Sequence, residues 1–173
     1  MITLDKATLT AGVRTISVYF EKYEVKMAVT LITKVITTAD ELLNFTTYAN
    51  VTNRDSDVLF TYDGYFVLGN NIDMTDKFIC TKIYTGESKY GFTGTFDGRG
   101  YCIINGTYGH CGLFGQIAPT GVVKNVAIVN ATMQNYDYRP GYEPNWENYN
   151  AEVLAWCHFG TVENVLIEVT GRV

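Results

Sequence analysis

Proline is nearly missing from this chain, with 3 in 173 residues. That scarcity excludes a Pro-rich linker or tether. Basic residues are also few, 13 Lys and Arg against 18 Asp and Glu, for a net charge of −5. Neutralising phosphates needs clustered Lys and Arg, and none cluster here, so no nucleic-acid partner is expected. No run approaches the ~18 consecutive apolar residues that cross a bilayer, so no membrane span is expected. The opening residues, MITLDKATLTAGV, lack a charged segment followed by an apolar one, and no signal peptide is expected there. The cysteines Cys80, Cys102, Cys111 and Cys157 are irregularly spaced, with no CxxC. Zinc is therefore disfavoured, free thiols on strands are expected, and their redox state stays open. No metal or cofactor is expected.

What the chain does have is apolar and aromatic: 47% hydrophobic residues, 13 Tyr, 9 Phe and 2 Trp. This is the composition of a packed chain, long enough for one core plus a small appendage. Its Asn, Thr, Gly and Tyr content has the texture of a secreted or virion β protein. Arg14–Phe20 and Glu24–Ile32 alternate apolar and polar residues around EKY, the pattern of a β-hairpin. A lone hairpin is marginal in water, so residues 1–35 form a unit that leans on the rest or belongs to a neighbouring domain.

Residues 38–50 are the one good helix. Thr38 and Glu41 have capping-box spacing, Leu42, Leu43 and Phe45 follow as an apolar stripe, and Asn50 can end it. Residues 51–57 read as a polar loop. Beyond them come short apolar runs punctuated by Gly, Asn and Asp, with turns at Asp63-Gly64 and Gly69-Asn70.

A repeat organises the second half. GVVKNVAIVNAT (Gly121–Thr132) matches GTVENVLIEVTG (Gly160–Gly171), with Asn125 and Asn164 equivalent and 39 residues apart. That offset less the 18-residue insert 133–150 leaves 21 residues, the size of one turn of a stacked β repeat. Asn125 and Asn164 should then stack at equivalent bends, where Asn tolerates a left-handed backbone. Phe96, Ile103, Leu113, Ile117, Val126, Ile128, Val165 and Ile167 are the expected core. An exposed strand row is expected at Val165–Val169, where NVLIEVTGRV stops on strand residues, and with it self-association through that end.

The glycine run GTFDGRGYCII (Gly94–Ile104) is not a nucleotide loop. A GxGxxG should follow a strand and open a helix, whereas YCIING continues as strand, and no GxxxxGK[ST] is present. These glycines bend a sheet.

Phe92, Gly94, Phe96, Asp97, Gly98, Gly100 and Ile104, then Gly112, Leu113, Phe114 and Gly115, then Val123, Asn125 and Val126, together resemble the GLUG-type repeats of bacterial surface proteins. The resemblance covers residues 36–173 and implies a mainly β fold: a short right-handed parallel β-helix, or β-solenoid, with one capping helix. The hairpin of residues 1–35 resembles the closing strands of a bacterial immunoglobulin-like domain. The second copy departs from the pattern, with Ala155 and Trp156 where a small residue and Gly are usual. The implied role is a non-catalytic structural or adhesive module of a larger cell-surface or secreted protein. Its partners would be other domains of the chain or neighbouring subunits, with host glycans or surface proteins as ligands. A phage virion fibre or decoration protein, and a polysaccharide-active β-helix enzyme, are the alternatives.

Three sets of residues are candidate sites. Asp97 reads either as a catalytic acid or as a turn residue whose carboxylate holds the bend; the Asp-Gly pair favours the turn, and Asp73 is a conceivable acidic partner that nothing in the sequence selects. His110-Cys111 and Cys157-His158 could meet in a metal or nucleophile site, but neighbouring strand residues point to opposite faces, which splits each pair. The insert is the strongest: Tyr136, Tyr138, Tyr142, Trp146 and Tyr149 crowd one polar loop, suited to sugar or protein contact or to covering the side of the sheet.

Overall fold

The computed structural model describes residues 11–20, 22–48, 61–81, 91–109, 111–134 and 152–172. The first two strands, β1 (Gly12–Phe20) and β2 (Tyr23–Leu31), form an antiparallel sheet of their own. Phe20 pairs with Tyr23, so Tyr23 belongs to the second strand and not to the turn. Paired residues of an antiparallel sheet share a face. Ile16, Met27, Val29 and Leu31 therefore line one side of the hairpin.

A short strand β3 (Lys34–Ile36) leads into α1 (Ala39–Tyr48). The Thr38 hydroxyl accepts the backbone N–H of Glu41 at 3.2 Å, the first half of a capping box. The return bond goes one residue further back than the capping box predicts. Glu41 Oε2 accepts from the backbone N–H of Thr37 at 2.7 Å and from its hydroxyl at 2.8 Å, while Lys34 Nζ donates to Oε1 at 2.6 Å. Leu42 and Phe45 are buried and Leu43 is partly buried against the same core. The helix end expected at Asn50, like the loop at 51–57, lies outside the described residues.

Among the described residues, the regular structure after α1 is strand, short in every case but β13 and β15: β4 (Thr61–Tyr62), β5 (Tyr65–Leu68), β6 (Ile72–Asp73), β7 (Phe78–Ile79), β8 (Gly91–Phe92), β9 (Thr95–Asp97), β10 (Cys102–Ile104), β11 (Thr107–Tyr108), β12 (Gln116–Ile117), β13 (Val122–Met133), β14 (Cys157–His158) and β15 (Thr161–Arg172). The fold is mainly β, and all pairings outside the hairpin are parallel. One sheet runs β3-β5-β9-β13-β10-β6, with β15 beside β13 and β11 joining β13 to β7; another runs β14-β12-β8-β4.

Parallel partners point their side chains the same way, so the registers make columns. Phe66, Phe96, Val123 and Val162 form one and Ile72, Ile103, Ile128 and Ile167 another. Phe45 of α1 joins the interior beside them, its ring 4.9 Å from Phe66, 5.5 Å from Phe96 and 5.8 Å from Phe114. Edge and tilted contacts of this kind are the favoured aromatic geometries.

A column of glycines marks one corner. The N–H after each glycine donates to the carbonyl of the glycine before it in the stack: Thr95 to Gly64, Val122 to Gly94, Thr161 to Gly121. A Cβ on Gly94 or Gly160 would collide with the carbonyl oxygen of the glycine it stacks on. Gly100 is different: it has open space but a φ of +84°, which a side chain resists.

The expected core is buried for Phe96, Ile103, Leu113, Ile117, Val126 and Ile128. It is not for the last pair. Val165 is only partly buried and Ile167 is 40% exposed, because β15 pairs with β13 alone and nothing described lies on its other side. Alternation along the strand predicts direction, not whether another layer follows.

Candidate functional site

Asp97 ends β9 and sits where the chain turns through Gly98. Its Oδ1 accepts the Arg99 backbone N–H at 2.9 Å and the Asn125 amide at 3.1 Å. Its Oδ2 accepts the Tyr65 hydroxyl at 3.2 Å, with Lys124 Nζ at 4.0 Å. Partial burial pushes its pKa up, but the bonds from Asn125, Arg99 and Tyr65 and the Lys124 charge outweigh that and hold it below the ordinary 3.8. The same packing raises the Tyr65 phenol, first by burial and then by the Asp97 charge. Asp97 is thus an ionised acceptor with both oxygens engaged.

Asn125 passes the bond onward, since Asn164 Nδ2 donates to Asn125 Oδ1 at 2.9 Å. Both asparagines have left-handed backbones, with φ of 54° and 51°. The stacking expected from the 39-residue repeat is therefore present. A second ladder has the same design. Asp73 Oδ1 accepts Asn105 Nδ2 at 3.0 Å, Asn105 Oδ1 accepts Asn130 Nδ2 at 2.7 Å, and Asn130 Oδ1 accepts the Thr170 hydroxyl at 2.5 Å. Asp73 also accepts the hydroxyl and N–H of Thr75, and these bonds together with that from Asn105 lower its pKa.

Each acid named from the sequence starts an amide ladder, and neither has a second carboxylate among its hydrogen-bond partners. The second ladder escaped sequence reasoning. Its signal was the Asn five residues after Asn125 in NVAIVN, echoed by the asparagine of IING at Asn105.

The remaining candidates separate. The aromatic insert residues Tyr136, Tyr138, Tyr142, Trp146 and Tyr149 lie outside the described residues, as does His110. His158 is exposed beside a half-buried Cys157, and Cys111 is buried. All four cysteines are free thiols. Among the described residues no cluster of His, Cys, Asp and Glu could hold a metal ion, and no helix is long and apolar enough to cross a membrane. Trp156 is 38% exposed.

The terminal strand is the other surface feature. Leu166, Ile167 and Val169 are 59%, 40% and 44% exposed on β15, next to a row of backbone groups with no further strand beside it among the described residues. Such an edge is a template for pairing. The chain matches no family model, no curated protein and no solved structure.

Proposed function

We propose that the chain is a non-catalytic structural or adhesive module of a larger bacterial cell-surface or secreted protein, built as a short right-handed parallel β-helix. The observation that carries this reading is the fate of its acids. Asp73 and Asp97 are consumed in holding bends, each at the foot of an amide ladder that ties successive parallel strands together. A stack of this kind provides length and rigidity with bends that need no bound ligand. The surface role follows from the resemblance of its glycine and asparagine pattern to surface-protein repeats.

Two measurements test it. A membrane-impermeant biotin reagent applied to intact source cells should label the parent protein, or the medium should contain it; labelling only after lysis overturns the assignment. Purified protein incubated with neutral and acidic polysaccharides should release neither reducing ends nor unsaturated sugars. Release that vanishes in Asp97→Asn would make the polysaccharide-active alternative correct.

A further inference from the structure

The exposed face of β15 has a geometry that selects its partner. Val165, Ile167 and Val169 stand in register with Val126, Ile128 and Ala131, so they point the same way. The inner three are at most 2% exposed, whereas Ile167 and Val169 are 40% and 44% exposed. Direction and chemistry are the same; a covering layer is what differs. A strand laid on the open edge would continue the β13–β15 interface, pair the backbone row and remove this apolar surface from water.

A head-to-tail partner fits poorly. The far edge of the same sheet is broken into β3, β6 and β7, of three, two and two residues, against one run of twelve in β15. β3 is followed at once by α1, whose Leu42 and Phe45 enter the core. β13 matches β15 in length and pattern but is paired on both sides, which leaves β15 of a second copy as the matching strand with an open edge.

The inward and ladder positions of β15 are matched in kind about Ile167, although Leu166 and Glu168 are not. Asn164 and Thr170, the last members of the two ladders, lie three residues to either side, and Val165 and Val169 two residues to either side. A two-fold axis at Ile167 sets Asn164 opposite Thr170 of the second copy, Val165 opposite Val169, and Ile167 opposite itself. Antiparallel partners share a face, so the inward apolar row of one copy meets that of the other. No acid faces an acid, because Glu163 falls opposite Gly171 and Glu168 opposite Leu166. Asn164 donates one amide hydrogen to Asn125, and its second can go to the Thr170 hydroxyl oxygen across the axis.

We propose that β15 pairs edge to edge and antiparallel with β15 of a second copy, about a two-fold axis at Ile167. The pairing uses the same patch on both copies, so it closes as a dimer and cannot grow into a filament. It rests on the open edge of β15 among the described residues and takes nothing from the cellular role proposed above.

Sedimentation velocity of the full chain over a concentration series should show a species of twice the 19.4 kDa chain mass. Ile167→Arg sets two like charges against each other on the axis and should return a folded monomer, with circular dichroism confirming the fold. Ile167→Cys should cross-link to itself under mild oxidation faster than Glu163→Cys, whose counterpart is Gly171, and faster than the wild-type chain with its four native thiols. This comparison stays decisive if Ile167→Arg fails to fold. A monomer at every concentration, open-ended oligomers, a dimer that survives in folded Ile167→Arg, or no preference for cross-linking at 167 would each overturn the proposal.

Discussion

Asn164 donates its side-chain amide to Asn125 across 39 residues of sequence, with 2.9 Å between the two groups. Asn125 in turn donates to Asp97, and its own φ is 54°. The residue therefore meets a backbone requirement and a hydrogen-bonding one together.

Replacing Asn125 with alanine should cost on the order of 3–4 kcal/mol: ~1–2 because alanine lacks the short polar side chain that lets asparagine adopt the left-handed region, and about 1 for each of the two lost hydrogen bonds. Asn125→Gly keeps the backbone freedom and loses only the bonds, so it should cost less. Urea unfolding of both variants checks the order. Equal losses would mean that the backbone angle contributes nothing.

Leu113 is fully buried, whereas Val13 on the hairpin is 58% exposed. Leu113→Ala should lower stability by about 2–5 kcal/mol through lost burial and the cavity left behind. Val13→Ala should stay within about 0.5 kcal/mol. A melt indifferent to Leu113→Ala would contradict its placement in the core.

Tyr108 is fully buried and its hydroxyl meets no hydrogen-bond partner among the described residues. Burial alone pushes its phenol pKa up. An unpaired buried hydroxyl carries a desolvation penalty of ~1–3 kcal/mol, so Tyr108→Phe should raise stability by about 1 kcal/mol. Thermal denaturation decides; a loss of stability would reveal a partner for the hydroxyl.

Acid should loosen the helix cap and both ladders. Glu41 is lowered from 4.5 to about 2, chiefly by Lys34 and Thr37. Asp73 and Asp97 are lowered from 3.8 by their hydrogen bonds, for Asp97 against the opposing effect of burial. A depressed carboxyl binds its proton more readily in the unfolded chain. Its contribution is complete above the unfolded value, and for Glu41 it is lost as pH falls from 4.5 toward about 2. Melting temperatures measured down that range should fall, and less steeply in Glu41→Gln. A parallel decline in the variant would remove Glu41 from the account.

Local signals in the chain were enough for several features. The capping-box spacing of Thr38 and Glu41 and the apolar residues Leu42 and Phe45 define a helix because those contacts lie within one or two turns. The 39-residue repeat was enough to stack Asn164 on Asn125, since matched residues in a parallel register must align. Alternation also gave the direction in which Ile128 and Ile167 point. An open strand row at Val165–Val169 was expected beside a buried Ile167. Only the tertiary structure decided between them, leaving Ile167 40% exposed while Ile128 is sealed, because burial depends on which strands lie alongside in space. The acids were undecided for the same reason. Asp97 could be a turn residue or a reactive one until Tyr65, Lys124 and Asn125, brought from 27 to 32 residues away in sequence, were seen to occupy its oxygens. Periodicity and turn chemistry are local and can be read along the chain, whereas exposure and hydrogen-bond satisfaction belong to the neighbours that folding supplies.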